Sequence, residues 1–347
     1  MIRVLVVVEC TTTRRLLRLH LGPVDDIEIV ASAPDDATAS EKLRELRPDV
    51  VVLDLDLPRH GGLRFLERMM RNMPTASVAL TCPTGIGGDK ASQAMMLGAT
   101  AVVSKPAVAS EEANGSMAEA LIDEVRGASR ARVRHPTAVG LRAQARLSVR
   151  AHHRIIAIGA STGGPPAIRR IVSRLPAGSP GIVIAQHMPA AFVEGFASRL
   201  DRVSEISVHV AKHGELLLPG TALVAPGDSN VTVKPAGGAY QVHVEDPQGR
   251  AAPSIDLLFQ SVAESAGRDG IGVLLTGMGS DGAFGLVALR RRGGTTLAQD
   301  EASSVVYGMP RRALELGAVD ETQSLNAIPG SILKALSRVS TPAAIAS

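Results

Sequence analysis

Short apolar runs alternate with amphipathic stretches twice along this chain, and this alternation limits its fold more than any other feature. The first series lies within residues 1–106, and the second begins at residue 154. Continuous apolar runs are typical of parallel strands with both faces covered, and the stretches between them have helical spacing. The chain is therefore predicted to be an α/β protein with two doubly wound parallel sheets. The runs are IRVLVVV, VVVLDL, SVALT and AVVSKP in the first series, and RIIAIG, GIVIAQH, ALVAPG and VLLTGMG in the second.

The segment between the two series has a different composition and divides the chain. Residues 108–153 begin with a helical pattern that has acids early and arginines late, as the helix dipole favours. They continue as a polar, basic stretch without a strand pattern. We therefore predict domains at residues 1–107 and 154–340, joined by a helix and an arginine-rich linker. A length of 347 residues is sufficient for two or three domains.

The positive charge of the chain is concentrated in and around this linker. The net charge is +3, but residues 125–154 contain eight arginines and no acid, so the remainder carries −5. We interpret the arginines as solvated side chains of a flexible tether, and the alternative is a contact with an anionic partner, including nucleic acid. Aromatic residues make up only 2% and tryptophan is absent, which leaves almost no surface for stacking single-stranded nucleic acid. No nucleic-acid partner is predicted.

The sequence does not indicate a membrane or secreted protein. No run of about 18 apolar residues occurs, so no membrane insertion is predicted. The N-terminus enters a strand-like run directly, without the cleavage pattern of a signal peptide. The two cysteines, Cys10 and Cys82, are not spaced for a metal site or a disulfide. These observations predict a cytoplasmic protein.

Three strands of the first series end in residues that could handle a phosphoryl group. Asp54, Thr81 and Lys105 follow separate apolar runs, and the carboxyl ends of parallel strands meet at one edge of a sheet. A carboxylate could attack phosphorus while the hydroxyl and the ammonium group hold phosphoryl oxygens. The alternative is structural: a capping aspartate, a turn threonine and a solvated lysine.

Three strands of the second series end in a serine, a histidine and an aspartate. Ser161 lies in the G-x-S-x-G motif of GASTGG, His187 ends GIVIAQH, and Asp281 follows VLLTGMG. A serine hydroxyl becomes a good nucleophile when a histidine removes its proton and a carboxylate orients that histidine. Taken alone, the motif is better explained by a strand-to-helix turn or a phosphate-binding loop than by a catalytic serine.

Each of these residues has an alternative interpretation. His187 alone could be a hydrogen-bonded strand-end histidine, and Asp281 alone could cap the helix that follows it. His209, His213 and His243 are other candidates for the base. The chain order of serine, histidine and aspartate differs from the serine–acid–histidine order of α/β-hydrolases.

The first series resembles a response-regulator receiver domain, which has a flavodoxin-like fold. The resemblance covers about residues 2–107 and depends on LDLDLPRHGG around Asp54 and SKP at Lys105. It implies that Asp54 accepts a phosphoryl group from a chemotaxis histidine kinase, with Thr81 and Lys105 assisting.

The receiver resemblance also implies a magnesium site. Receivers usually carry two adjacent acids at the end of the first strand, and Val8 and Glu9 occupy those positions here. The implied metal ligands are therefore Glu9 and Asp54. Val8 has no oxygen to offer, and Mg²⁺ prefers oxygen ligands, so this departure weighs against the metal.

The second series resembles the catalytic domain of CheB-type chemotaxis protein-glutamate methylesterases, a Rossmann-like fold. The resemblance covers about residues 154–325 and depends on GASTGGP, QHMP, PSID, LLTGMGSDGAFG and AQDEASSVVYGMP. It implies that Ser161 is the nucleophile, His187 the general base and acid, and Asp281 the orienting carboxylate. Backbone N–H groups near Thr162 and Met278 would form the oxyanion hole.

The same resemblance implies the substrate and its regulation. The substrate would be a γ-glutamyl methyl ester on the cytoplasmic helices of chemoreceptors, hydrolysed without a cofactor, and glutamine deamidation is a second implied reaction. In the family, the unphosphorylated receiver packs over the active site. One departure is Asn230, which stands where the family often has histidine.

Two other functions remain open from the residues alone. A receiver joined to a binding domain would be a regulatory module without catalysis, and the intact serine, histidine and aspartate argue against it. A hydrolase of small esters with a relic receiver is the third hypothesis.

Overall fold

The computed structural model describes residues 1–57, 61–82, 86–105, 111–131, 153–247 and 252–337. The chain divides into two compact units within the segment 132–152. That segment contains most of the predicted arginine-rich linker, which therefore lies outside the described residues. None of the described helices is both long and apolar enough to cross a membrane.

The first unit is a five-stranded parallel sheet with the order β2-β1-β3-β4-β5. Its strands are nearly fully buried where the sequence is continuously apolar, as in Val50–Asp54. This is the doubly wound α/β arrangement predicted from the alternation. The elements are β1 Ile2–Val7, α1 Thr11–Leu21, β2 Ile27–Ala33, α2 Asp36–Leu46, β3 Val50–Asp54, α3 Gly61–Asn72, β4 Ala76–Thr81, α4 Ile86–Leu97, β5 Ala101–Ser104 and α5 Glu111–Ser129.

The predicted domain boundary at residue 107 needs a correction, because helix α5 belongs to the first unit. Met117, Leu121 and Val125 of α5 are buried in the same core as the strands of this sheet. At the end of the helix, the guanidinium of Arg126 donates two hydrogen bonds to Asp26, at 3.0 and 2.8 Å. The helical pattern was predicted correctly, but its apolar face covers the sheet and does not start a linker.

The second unit is a seven-stranded parallel sheet with the order β15-β14-β13-β6-β7-β10-β8. Its elements are β6 Ile155–Ala160, α6 Gly164–Val172, β7 Gly181–Gln186, α7 Ala190–Val203, β8 Ser207–Val210, β9 Glu215–Leu217, β10 Thr221–Val224, β11 Asn230–Ala236, β12 Ala239–Glu245, α8 Ile255–Ser265, β13 Gly270–Leu274, α9 Ala283–Arg291, β14 Thr295–Gln299, α10 Met309–Glu315, β15 Glu321–Gln323 and α11 Ile328–Ser337.

A small antiparallel sheet interrupts the α/β alternation of the second unit. Its order is β11-β12-β9, and the paired strands are antiparallel. The sequence did not predict this sheet. It packs on helix α8, where the hydroxyl of Ser261 accepts a hydrogen bond from the N–H of Val233 at 3.0 Å.

Arg154 is a second correction to the tether interpretation. It is 8% exposed, just before β6, and its guanidinium donates to the backbone carbonyls of Ala335 and Arg268. Two of the eight arginines are therefore structural. Arg126 pairs with Asp26, and Arg154 donates to these carbonyls.

Candidate active site

The strand order of the second unit brings Ser161, His187 and Asp281 to one edge of the sheet. Strand β6 lies between β7 and β13, so the chain leaves β6 in one direction and later returns on its other side. Ser161 directly follows β6, His187 directly follows β7, and Asp281 lies in the loop after β13. This is a switch point, where open α/β sheets bind ligands beyond the carboxyl ends of their strands.

The three side chains form a continuous hydrogen-bonded relay. His187 Nδ1 lies 3.1 Å from Ser161 Oγ, and His187 Nε2 lies 2.8 Å from Asp281 Oδ2. Because a carboxylate only accepts hydrogen bonds, Nε2 carries the proton of the neutral ring. Nδ1 is then an acceptor that faces the serine hydroxyl, as a general base requires.

Asp281 is held as a carboxylate by the start of helix α8. Oδ2 accepts from the N–H of Ile255 at 2.8 Å, and Oδ1 accepts from the N–H of Asp256 at 2.9 Å. Burial raises the pKa of Asp281, but hydrogen bonds from His187 and these N–H groups outweigh it, so the pKa lies below the ordinary value. The charge that orients His187 therefore persists at neutral pH.

Asp281 also accepts from the N–H of Gly282 at 3.0 Å, next to the start of helix α9. The capping alternative considered for Asp281 thus holds in part, but its main partners belong to α8. The reverse contact exists as well, because Asp256 Oδ1 accepts from the N–H of Gly285 in α9 at 2.7 Å. Asp281, just before α9, therefore accepts from the start of α8, and Asp256 of α8 accepts from the start of α9.

Two glycines allow the turn around Ser161. Gly163 has φ 76°, and a Cβ there would lie 2.5 Å from the side chain of Val305. Gly277 has no positive φ, but a Cβ there would lie 2.7 Å from the Cβ of Ser161. The loop after β13 thus approaches the nucleophile closely, and the backbone of Ser161 donates to Thr276 O at 3.0 Å.

Gln186 connects the serine turn to the histidine. Its side chain is buried at the end of β7, and Nε2 donates to the carbonyls of Ser161 at 3.0 Å and His187 at 2.8 Å. This buried amide holds together the two backbone segments that carry Ser161 and His187.

Thr276 and Gln299 fix the loops that would surround an oxyanion. Gln299 Oε1 accepts from the N–H of Thr276 at 2.9 Å, and Thr276 Oγ1 lies 3.0 Å from the carbonyl oxygen of Thr162. In the described part of the chain, the backbone N–H groups of Thr162 and Met278 donate to no protein acceptor. They therefore remain available to the oxygen of a ligand.

The other histidines considered for the base lie away from this relay. His209 on β8 lies 2.6 Å from Glu215, and the ring of His213 contacts the ring of His243 at 5.1 Å between centroids. The pKa of His243 is lowered by partial desolvation and by the nearby charge of Lys234. The structure brings none of the three to Ser161.

The first unit brings the three predicted receiver residues to its own carboxyl edge. Asp54 ends β3, Thr81 ends β4, and Lys105 follows β5, where its N–H donates to Thr81 O at 2.8 Å. Lys105 Nζ donates to Asp54 Oδ1 at 2.9 Å, and the N–H of Asp56 donates to the same oxygen at 2.9 Å.

Two residues that the sequence did not indicate complete this cluster. Asp56 pairs with Lys105 at 2.7 Å and with Lys90 of helix α4 at 2.8 Å. Burial raises the pKa of Asp56, but both ammonium groups outweigh it and bring the pKa to about 2. Burial lowers the pKa of Lys105, but Asp56 and Asp54 outweigh it, so the pKa of Lys105 is raised.

These residues do not fit the magnesium site that the receiver resemblance implies. Val8 is fully buried and has no oxygen ligand, while the side chain of Glu9 is exposed. Asp56, the other nearby acid, has one oxygen against each lysine. The described residues contain no group of three histidine, cysteine or acidic side chains that could hold a metal ion. Mg²⁺ takes oxygen ligands in near-octahedral geometry, which this cluster does not offer.

The residues that sequence reasoning missed act through hydrogen bonds and ion pairs that are buried or partly buried. Because their partners are distant in sequence, these residues had no local signal of their roles, although all of them except Lys90 lie within the motifs that carry the two resemblances. They are Asp56, Lys90, Gln186, Ser254, Asp256, Thr276 and Gln299.

A serine in contact with a histidine that a carboxylate orients is the arrangement of serine hydrolases. The family described as "CheB methylesterase" matches residues 156–332, and "Response regulator receiver domain" matches residues 4–113. The chain belongs to the CheB methylesterase family, and its N-terminal part is a response regulator receiver domain. It is an enzyme, a carboxylic ester hydrolase, as the resemblance implied.

Curated relatives match over nearly the whole chain. "Protein-glutamate methylesterase/protein-glutamine glutaminase 2" of Bordetella avium (strain 197N) is 44% identical over 338 residues, 96% of each chain. "Protein-glutamate methylesterase/protein-glutamine glutaminase" of Salmonella typhi is 42% identical over 342 residues, 97% of each. The solved catalytic domain of Thermotoga maritima CheB methylesterase is 36% identical with a TM-score of 0.51, covering 52% of this chain and 97% of that one.

Proposed function

We propose that the protein hydrolyses γ-glutamyl methyl esters on the cytoplasmic helices of chemoreceptors, using Ser161, His187 and Asp281. The curated relatives bear the names of protein-glutamate methylesterases and glutaminases. The observation that carries the proposal is the relay from Ser161 Oγ through His187 to Asp281, at 3.1 and 2.8 Å. The reaction takes place in the cytoplasm, where the methylated receptor helices lie.

In the first half of the reaction, Ser161 Oγ attacks the ester carbonyl while His187 Nδ1 takes the hydroxyl proton. Asp281 stabilises the imidazolium that forms, and the N–H groups of Thr162 and Met278 donate to the oxyanion. The tetrahedral intermediate collapses when His187 gives its proton to the methoxy oxygen. Methanol leaves, and the glutamyl group remains on Ser161 as an acyl-enzyme.

In the second half, water attacks the acyl-enzyme and His187 Nδ1 accepts a proton from it. The second tetrahedral intermediate expels Ser161 Oγ, which regains its proton from His187. The products are a glutamate side chain and the free enzyme. Each proton transfer uses a side chain of the relay.

Deamidation of receptor glutamines uses the same steps with a different leaving group. Ser161 attacks the γ-amide, and His187 protonates the departing nitrogen, so ammonia leaves in place of methanol. Both reactions pass through the same glutamyl acyl-enzyme and yield the same glutamate.

The test is Ser161→Ala in the full chain, with methanol release from methylated receptor as the assay. We expect a fall in kcat of at least about three orders of magnitude with unchanged far-UV circular dichroism. Ser198→Ala, an exposed serine on helix α7, is the matched control and keeps full activity. Substantial methanol release by Ser161→Ala would contradict the assignment of the nucleophile.

The same enzyme preparations separate receptor esters from small esters. If receptors are the substrate, kcat/KM for methylated receptor exceeds that for a small methyl ester by orders of magnitude, because the helix contributes binding. Equal values would favour a small-ester hydrolase instead.

The receiver domain is proposed to control this activity through phosphoryl transfer to Asp54 from a chemotaxis histidine kinase. The buried position of Asp54 beside Lys105, at 2.9 Å, supports the assignment. A small phosphodonor should label the parent chain and leave Asp54→Asn unlabelled. Equal labelling of both would mean that another residue accepts the group.

A further inference from the structure

The position of Asp281 depends on where helix α8 begins. An α-helix has four N–H groups at its start that find no partner within the helix. In α8 two of them, from Ile255 and Asp256, donate to the two carboxylate oxygens of Asp281 at 2.8 and 2.9 Å. A shift of the first turn would therefore move or release the carboxylate that orients His187.

The other two N–H groups of this turn also have side-chain partners. The N–H of Leu257 donates to the hydroxyl of Ser254, the N-cap residue, at 3.3 Å. The N–H of Ser254 donates to Asn230 Oδ1 at 2.8 Å. All four groups are thus satisfied, two by Asp281 and one each by Ser254 and Asn230.

Besides Asp281, Asn230 also holds this turn from outside the helix. It is the first residue of β11, it is only 5% exposed, and its amide oxygen reaches the N-cap across 24 positions of sequence. The hydroxyl of Ser254 in turn lies 3.4 Å from Asp281 Oδ1. A buried N–H without a partner costs free energy, so the turn is held where Asn230 accepts from it.

We propose that Asn230 is a positioning residue for catalysis, which acts through Ser254 and the first turn of α8 on Asp281. The inference depends on the proposed function, because it needs Asp281 to orient His187. The amide oxygen supplies the acceptor that the N–H of Ser254 needs at this buried position. The antiparallel sheet thereby contributes to the reaction through Asn230.

The test compares three variants of the full-length enzyme. Asn230→Leu keeps the branched outline of the side chain and removes the acceptor, and Asn230→Asp keeps an oxygen in the same place at a helix N-terminus, where a carboxylate is tolerated. Ser261→Ala removes a different contact between the same helix and β11, the one with Val233. It is the matched control for a loosened α8.

We expect Asn230→Leu to lower kcat about tenfold with KM changed less than about twofold, because misplacement affects the reacting geometry and not the binding of substrate. Asn230→Asp should recover kcat to within about threefold of the parent, and Ser261→Ala should match the parent. The same pattern is expected with methylated receptor and with a small ester. If Asn230→Leu loses the far-UV circular dichroism of the parent, Asn230→Ser, whose hydroxyl is too short to reach Ser254, takes its place.

Equal kcat for Asn230→Leu and Ser261→Ala would overturn the inference, and so would a loss expressed only in KM. The proposed function fails separately, when Ser161→Ala retains activity. An inactive Ser161→Ala together with a fully active Asn230→Leu would keep the triad and reject the positioning role.

Discussion

Each unit presents carboxylates at the carboxyl edge of its own buried parallel sheet, but the two units hold these carboxylates differently. Asp281 accepts hydrogen bonds from neutral N–H groups and from His187. Asp54 and Asp56 face the ammonium groups of Lys105 and Lys90. Neutral donors keep a carboxylate in position while its full charge remains available to a neighbour. Ammonium groups hold it by cancelling that charge.

This difference matches what each site has to do. In the proposed mechanism, Asp281 stabilises a positive charge that forms on His187 during each turnover, so its own charge has to stay uncompensated. Among the described side chains that pair in the receiver cluster, two acids face two lysines, so their charges balance. A phosphoryl group on Asp54 would disturb that balance, which suits a switch better than a catalytic centre.

The largest expected effect is a loss of kcat when the contact between Asp281 and His187 is broken. Asp281→Asn should lower kcat about a thousandfold or more, because an amide neither fixes the Nε2–H tautomer nor balances the imidazolium. The assay is methanol release from methylated receptor at neutral pH. Asp256→Asn is the control, since that side chain accepts from Gly285 and not from His187. A comparable loss in both variants would mean that capping of α9, and not charge, explains the effect.

A smaller effect concerns the stability of the receiver unit in acid. The pKa of Asp56 is about 2, below the ordinary value near 3.9, so the folded state prefers the ionised form. This contribution is fully present above about pH 4 and is lost as the pH falls through about 2, and it amounts to about 2 kcal/mol at most. Urea denaturation between pH 5 and pH 2 measures it.

The control for the acid experiment is Asp56→Asn, which lacks the titrating group. The urea concentration at the midpoint of its unfolding should depend less on pH over this range than that of the parent. Identical pH dependence in the two proteins would show that the ion pairs with Lys90 and Lys105 do not stabilise the folded receiver.

The smallest expected effect is a gain in Mg²⁺ affinity when substitutions make the receiver cluster resemble a metal site. The parent should bind Mg²⁺ weakly, and Val8→Asp combined with Lys90→Gln should bind at least about tenfold more tightly, because it adds an oxygen ligand and frees a carboxylate. Isothermal titration calorimetry gives both affinities. Val8→Asn with Lys90→Gln tests whether the added charge is needed. Tight Mg²⁺ binding by the parent would contradict the description of this pocket.

The alternation of apolar runs was sufficient to predict both parallel sheets and the place of the site. Ser161, His187 and Asp281 each follow a buried run, and parallel strands end at one edge, so their meeting could be expected. The antiparallel sheet of β9, β11 and β12 could not, because its strands are only partly buried and include many polar residues. Its pattern does not differ from that of a loop between α/β elements.

Contacts between residues far apart in the sequence could not be predicted either. Nothing beside Asp281 indicates that α8 holds it, since Ile255 and Asp256 come 26 and 25 positions earlier. Lys90 belongs to a helical pattern and reaches Asp56 from 34 positions away. The boundary at residue 107 was wrong because an amphipathic pattern does not say which surface its apolar face will cover.

The close approach of Gly277 to Ser161 also limits which residues can occupy position 277. A single methyl group there would meet the Cβ of Ser161 at 2.7 Å and the sulfur of Met309 at 2.3 Å. By contrast, Gly237 and Gly238 in the turn between β11 and β12 have no neighbour within 4 Å of an added Cβ, although both have positive φ. Position 277 therefore has almost no mutational tolerance despite carrying no reactive group. Any side chain at position 277 would have to displace Ser161 or move the loop after β13 away from it.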